Sequence, residues 1–482
     1  MNNLILLVVL PLLAAFVLPL VARGSKTIAI LIGPMVLLYS LLLVISNWFE
    51  IGRGSSALFV GGFSARVGIT FYIDHFSLMF AGLVAGMFLV VWPWGKQVVP
   101  RQLSLYLLLA AASFGLVLSA DLFNLYVFYE LLAVATYGLI ARQQNNTASV
   151  AALRYLFVSS AGSVMMLLGI AIIYTLTGSL NIAYLATVTN KLHSLAGISA
   201  FALIAIGAGV KAEMFPVNTW VSEVYATVTR PLAALLAGLI SKLAVLIIIR
   251  VLIMMFQHEA ALQLLLVVGI LGVISGELVA WRAKDMVRML SFSSIAQLGL
   301  IFIAFSIAGK NGLWIGMALM LHHLLVKGGL FLLADKLDGS FEKLRGKAKL
   351  APIATAVFVL FILSLLGIPP FPGFWIKLLL IMNLAEQTGG LYHYAIGFIL
   401  LATAIEAAYL FKLVRILYQQ EDTEIKPKLQ ANTLSYYYAL LFAVVLVLST
   451  VFVMPISDRL EDMATQASSS QIYIDTILGE SP

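Results

Sequence analysis

The chain has 482 residues, of which 62% are hydrophobic and 11% charged, and its mean hydropathy is +1.04. Soluble chains carry about 25% charged residues, so the composition excludes a soluble globular protein and leaves an integral membrane protein. With no cysteine, disulfides, thiolate metal sites and iron–sulfur clusters are excluded, and any redox chemistry belongs to a partner.

Apolar runs of about 20 residues, enough to cross a hydrocarbon core of about 30 Å, recur along the whole chain with short polar breaks. They give about fourteen spans, centred near residues 13, 38, 84, 111, 131, 164, 212, 243, 271, 299, 324, 370, 405 and 444. The expected fold is an all-α polytopic membrane protein. The first run, Asn3 to Leu20, lacks a basic start and a small-residue cleavage site, so it is read as a retained span. Loops after odd-numbered spans hold 19 of the 29 lysines and arginines, among them Arg23, Lys26, Lys96, Arg101, Arg282, Lys426 and Lys428. Only Arg53, Arg66, Lys191, Lys310 and Arg459 lie in the other loops and the tail. By the positive-inside rule the odd loops are cytoplasmic and both termini face outward. The net charge of +7 is thus an orientation signal, and no nucleic-acid partner is expected.

Five basic residues fall inside the spans: Lys211, Lys242, Arg250, Lys327 and Lys377. Arg250, near a span end, can snorkel. The other four are central, where a charge costs several kcal/mol and marks a transport path or proton relay. Glu130 joins them, nine residues beyond Asp121 in "DLFNLYVFYE", or about 13 Å along a helix. A single lysine–glutamate pair is often a structural clamp. Four central lysines outnumber the evident central carboxylates, however, so pairing alone cannot neutralise them.

Two of these lysines sit beside prolines. In "GVKAEMFP" Pro216 cannot donate to the carbonyl of Ala212 and breaks the helix one turn from Lys211. In "GIPPFPGFWIK" Pro369, Pro370 and Pro372 interrupt the twelfth span just before Lys377. Lys211 and Lys377 are 166 residues apart, and Lys242 and Glu406 are 164 apart. Paired broken, charged helices are the mark of repeat-built transporters. The seventh and twelfth spans run in opposite directions, so the repeat is inverted. The expected organisation is 1–100 for the first three spans, 101–258 for one five-helix repeat (spans 4–8), 259–420 for the second (spans 9–13), and 421–482 for the last helix and tail. In "LHHLLVKGGLFLLADKL" His323 and Lys327 share one helical face and His322 points about a quarter turn away. Haem on these histidines is not expected: ligating pairs usually come from facing helices, and a lysine one turn away repels the iron charge.

"DLFNLYVFYE", "GVKAEMFP", "LLAGLISKLAVLIIIR", "RMLSFSSIAQLG", "HHLLVKGGLFL" and "GIPPFPGFWIKLLLI" together resemble the antiporter-like subunits of respiratory complex I and of Mrp cation/proton antiporters, over about residues 70 to 420. The tail "QIYIDTILGESP" and the residues around Glu130 look most like the D-type subunits of Mrp antiporters, and the chain ends without the long lateral helix of the A-type subunit. The resemblance implies Glu130 and Lys211 as a charge pair, Lys242 as the connecting lysine, His323 and Lys327 as a central bridge, and Lys377 as the terminal lysine of the second half-channel. It also implies a transporter subunit rather than an enzyme, in the plasma membrane, with a large A-type subunit and small membrane subunits as partners. The transported ions would be H+ and Na+, with no cofactor. A homologous pump subunit of a redox complex is the alternative. The chain departs from the family pattern in "WVSEVYATVTRPLAAL" and at Glu213 and Glu277, where small or amide residues are expected. With His322 and Glu406, these two glutamates are candidate modulators. Glu213, two positions from Lys211, would lie about 200° around a continuous helix, too far to neutralise it.

Overall fold

The computed structural model describes residues 2–52, 54–94, 99–143, 146–337, 340–419 and 433–479. Arg53, Lys96, Lys426 and Lys428 of the orientation reading lie outside the described residues. In chain order the elements are α1 (Leu6–Gly24), α2 (Lys26–Glu50), β1 (Ser56–Phe59), β2 (Thr70–Ile73), α3 (His75–Val90), α4 (Pro100–Leu118), α5 (Leu122–Ala141), α6 (Asn146–Thr177), α7 (Ile182–Thr187), α8 (Thr189–Leu192), α9 (Leu195–Gly209), α10 (Val221–Thr227) and α11 (Arg230–Leu235). They continue with α12 (Ser241–Met255), α13 (Glu259–Arg282), α14 (Met286–Phe305), α15 (Gly309–Leu337), α16 (Lys347–Leu350), α17 (Pro352–Leu366), α18 (Pro372–Ala385), α19 (Gly390–Tyr418), α20 (Leu434–Val451), α21 (Val453–Ala467) and α22 (Ser470–Gly479).

Among the described residues, 11 helices are long and apolar enough to cross a membrane. Eleven of the expected centres fall on them. Of the other three, residue 84 lies in the shorter α3, whereas 212 and 370 lie in the non-helical segments between α9 and α10 and between α17 and α18. The chain therefore stops being helical at both proline-bearing stretches. In the first, however, the helix has already ended at Gly209, before Lys211, so Pro216 follows the break instead of making it. Glu213 adopts a left-handed φ of 55°, and the 200° helical-wheel separation from Lys211 does not apply.

Two compact units divide the chain: Met1–Ala212 with Lys242–Ala261 and Met463–Pro482, and Glu213–Ser241 with Leu262–Asp462. Within the first, α1 packs on α4, and α6 on α9. The α6–α9 contact depends on glycine: a Cβ on Gly207 would come 2.4 Å from the Gly162 carbonyl, and one on Gly162 would meet Val210 Cγ2 at 2.6 Å. Without a hydrophobic drive between helices in lipid, this backbone approach supplies the association. The β1–β2 hairpin pairs Ser56 with Ile73 and Phe59 with Thr70, and α22 packs on α7 and β1. The Tyr473 ring packs at a tilt on Tyr72, centroids 4.3 Å apart, and Thr476 hydrogen-bonds Ser55 at 2.7 Å. The segment read as a tail is thus a docked helix through Gly479. Arg250 does not snorkel: it is buried and donates to the carbonyls of Val117 and Ser119 at 3.2 and 2.8 Å. The end of α4 leaves such carbonyls without intrahelical partners and at the negative end of its dipole, which is what the guanidinium satisfies.

In the second unit α15 is the central element, flanked by α11, α14, α17, α18 and α20. A run of π-helix, Leu236–Ile240, immediately precedes α12.

The glycine contact makes a testable claim. Gly207→Val should overpack the α6–α9 seam and cost about 1–3 kcal/mol, read as a lowered thermal midpoint in detergent. Gly86→Ala, which meets nothing within 4 Å, should leave the midpoint unchanged.

Candidate functional site

Ionisable side chains gather within each unit at the broken helices. In the first unit Glu130, on α5, accepts a hydrogen bond from Ser163 Oγ on α6. Lys211, just beyond α9, is buried and donates to Ser159 Oγ at 3.0 Å. Its Nζ sits 3.1 Å from the centroid of the Tyr129 ring, a cation–π contact that strengthens when water is excluded. Tyr129 is held in turn by its hydroxyl, which donates to the Gly207 carbonyl at 2.7 Å. Among the described residues no ion pair joins Glu130 to Lys211. The two charges meet through Ser159 and Ser163, one turn apart on a single face of α6. Lys242 is also fully buried, in the first turn of α12 after the π-helical run. Such runs are enriched at functional sites because they re-aim side chains.

In the second unit the break is built by a glycine. Gly367, at φ 78°, ends α17. Ile368 N–H bonds the Leu363 carbonyl at 3.0 Å and Gly367 N–H the Ser364 carbonyl at 3.1 Å, a Schellman pattern. Pro372 then opens α18, where its missing N–H costs nothing. Lys377 reaches back from α18 across this gap: its Nζ lies 3.2 Å from Glu406 Oε2 and 3.5 Å from the Leu366 carbonyl. The ammonium thus sits at the negative end of the α17 dipole and beside a carboxylate. Gln297 of α14 holds the other carboxylate oxygen of Glu406 at 3.0 Å.

Lys327 and His323 both face α14. Lys327 donates to Ser293 Oγ at 2.6 Å and toward the Leu290 carbonyl at 3.4 Å, while His323 Nε2 is 3.3 Å from Ser294 Oγ. His322, a quarter turn away, meets Ser364 Oγ of α17 at 2.9 Å, directly before the break. Gly373 is required there, since a Cβ would lie 1.9 Å from the Ser364 carbonyl and 3.0 Å from His322 Nε2. Glu213 accepts from the Tyr225 hydroxyl at 2.6 Å, and the Tyr225 ring packs edge-on against Phe331 of α15, centroids 5.5 Å apart. Glu277 is buried on α13, facing Lys327, Lys377, Glu406 and Tyr409.

The structure thus brings His322, His323, Lys327, Lys377, Glu406, Glu213 and Glu277 into the second unit and Glu130, Lys211 and Lys242 into the first. Sequence reasoning passed over the neutral partners: Ser159, Ser163, Tyr129, Ser293, Gln297 and Ser364. The signal for some of them was present, because serines spaced by four on one face of an apolar helix, as in "SSAGS", mark a polar stripe.

The chain is similar to known membrane proteins. The family model described as NADH:quinone oxidoreductase/Mrp antiporter, TM, matches residues 119–406. The N-type subunit of the NADH-quinone oxidoreductase of Desulforudis audaxviator is 32% identical over 382 residues, 75% of each chain. The D-type subunit of the Na(+)/H(+) antiporter of Alkalihalophilus pseudofirmus is 27% identical over 503 aligned positions covering 100% of both chains. A solved chain of the membrane-bound sulfane sulfur reductase, an archaeal respiratory membrane complex, superposes with a TM-score of 0.92 at 26% identity, covering 99% of this chain and 100% of its own.

The Lys377–Glu406 pair can be tested by its energetics. Glu406→Gln leaves a buried ammonium without its counter-charge and should cost about 3 kcal/mol, whereas the Lys377→Met/Glu406→Gln double variant should regain most of that. Thermal unfolding of the wild type and the two variants decides it, and equal midpoints for all three would mean that the pair contributes nothing.

Proposed function

The chain belongs to the NADH:quinone oxidoreductase/Mrp antiporter membrane family, and from that premise we propose that it is the proton-translocating membrane subunit of a multisubunit Na+/H+ antiporter. The observation that carries this reading is the buried Lys377–Glu406 pair at a broken helix, within reach of a helix-end carbonyl. A lysine held by one carboxylate and one carbonyl, next to a gap in the helix, is a site whose proton can leave and return with small side-chain movements. Lys327 on Ser293 and Lys211 on Ser159 supply further groups of the same kind. We assign proton transfer to Glu130, Lys211, Lys242, His323, Lys327 and Lys377, with Glu213, His322 and Glu406 tuning them.

In this reading H+ and Na+ are the transported ions, the partners are an A-type subunit and small membrane subunits, and the complex lies in the plasma membrane with both termini outside. The full-length match to a D-type antiporter chain supports it. The second reading, a proton-pumping subunit of a redox-driven complex, is favoured by the 32% identity to a quinone oxidoreductase subunit. The two are told apart by driving force: sodium alone must discharge a pH gradient in the first and has no effect in the second.

Everted vesicles carrying the assembled complex provide the test. Lys377→Ala should abolish sodium-induced proton exchange while the subunits still co-purify, and normal exchange in that variant would sink the assignment. Lys377→Glu should retain part of the activity, since it keeps a titrating group at the same place.

The first cluster makes a separate claim. Glu130→Gln and Lys211→Ala should each abolish exchange, and the double variant should be no worse than either, because residues that act as a unit are non-additive. A structural clamp predicts the opposite pattern: poorly assembled single variants and a rescued double.

A further inference from the structure

Glu277 lies inside the second-unit network beside the Tyr409 hydroxyl, with its Oε2 left without a well-aligned hydrogen-bond partner among the described residues. Its place is fixed by backbone packing. Gly269, Gly272 and Gly276 lay α13 directly on α14: a Cβ on Gly276 would come 2.6 Å from Ala296 N and 2.8 Å from the Phe292 carbonyl, and one on Gly269 would come 2.8 Å from the Gly299 carbonyl. The next residue, Glu277, is thereby set beside the Ser293–Gln297 turn of α14, and it is 2% exposed. The charged and titratable groups facing it are Glu406 and Tyr409 from α19, Lys327 from α15 and Lys377 from α18. Glu406 and Tyr409, three residues apart, share one face of their helix.

A clamping carboxylate would hold a lysine. Here Lys327 gives its short hydrogen bond to Ser293 and Lys377 gives its to Glu406. Glu277 Oε2 and the Tyr409 hydroxyl, though neighbours, each lack an aligned hydrogen-bond partner among the described residues. A buried polar atom left without a partner costs about 1–3 kcal/mol, and such atoms are few in native structures, a catalytic role being one of the reasons they are kept.

We propose that Glu277 is a proton-carrying residue that links Lys327 to the Glu406–Lys377 pair, with the Tyr409 phenol as its positioning partner. In the forward step an N–H bond of the Lys327 ammonium breaks and an O–H bond forms on Glu277, leaving an amine and a carboxylic acid. In the next step that O–H breaks as the proton passes to Glu406, and Glu277 returns to carboxylate. One proton moves at each step and no other bond changes. Tyr409 donates to the carboxylate state and releases it when the carboxyl is protonated. The inference rests on the proton-transfer reading of this chain, and it assigns a specific carrier to a helix, α13, to which that reading gives none.

Two measurements test it. In everted vesicles with the assembled complex, Glu277→Gln should lower sodium-induced proton exchange by about a hundredfold. Glu277→Asp should restore part of it at a displaced pH optimum, and Tyr409→Phe should keep exchange but move the pH profile. Full exchange with the wild-type pH profile in Glu277→Gln overturns the proposal. If the wild-type complex itself fails to respond to sodium, the antiport reading falls, and the second measurement still decides the role of Glu277. Infrared difference spectra of the complex between acid and alkaline pH should show a carboxylic C=O band that disappears in Glu277→Gln and moves in Tyr409→Phe. An unchanged set of carboxylic bands in Glu277→Gln overturns the proposal whatever drives the complex.

Discussion

Placing an ammonium group in hydrocarbon costs several kcal/mol unless protein supplies what water would have given, and the rest of this fold can be read as the answer to that cost. Phe49 and Phe157 are 79% and 71% exposed, whereas Lys242 and Lys327 are wholly buried. The polarity of a soluble protein is therefore inverted. Each lysine whose contacts are resolved finds a hydroxyl, a carboxylate, an aromatic face or a helix-end carbonyl. Arg250 obeys the same rule, taking the terminal carbonyls of α4 in place of lipid headgroups.

The breaks in the helices follow from it. An intact helix uses its carbonyls in its own ladder, so a lysine packed against it gains only a shared, long contact, as Lys327 does with the Leu290 carbonyl at 3.4 Å. Ending α17 at Gly367 frees the Leu366 carbonyl for Lys377, and the lysine stem passes over Gly367, whose added Cβ would lie 3.2 Å from Lys377 Cδ. Glycine is needed there twice, for its positive φ and for its missing side chain. At the first break the left-handed residue is Glu213. Its side chain is held by Tyr225 and its carbonyl by Asn218 at 3.3 Å, contacts that offset the unfavourable backbone region.

Much of this was legible in the sequence, and what was missed has a physical pattern. Spans, breaks and central charges were readable because each violates hydropathy or helix continuity in a way that composition records. The serines and tyrosines were not, since a hydroxyl in an apolar helix is unremarkable until the partner helix is known. Arg250 was misread because proximity to a span end fits both snorkelling and capping of a neighbouring helix, and only packing separates them. The place where α9 ends was misjudged because Pro216 is the conspicuous breaker, while Gly209 is one glycine among 36. The helical ending of the tail was hidden by its length: a ten-residue helix is marginal alone and is stabilised here by burial of Tyr473 and Ile477 against its neighbours.

The 164-residue spacing also explains why the two clusters differ in chemistry. Asp121 and Asp285, 164 apart, both cap the start of a helix, and each bridges to a later strand-like residue, Asn181 and Ser340. At the same spacing Ser159 and Ser163 correspond to His323 and Lys327, Glu130 to Ser294, Ser113 to Glu277, and Lys242 to Glu406. The capping and bridging residues recur at this spacing while the charges do not. Where the second cluster places the carboxylate that holds Lys377, the first places another lysine, so Lys211 must draw its counter-charge from α5, through serines. A carboxylate at the Lys242 position would pair with Lys211 and leave Glu130 redundant. A lysine at the Glu406 position would set two ammonium groups side by side at the α17 break, with Glu277 as the remaining counter-charge. The first cluster thus spreads its compensation over several elements, and the second concentrates it in one ion pair, with a second buried carboxylate, Glu277, facing it from α13.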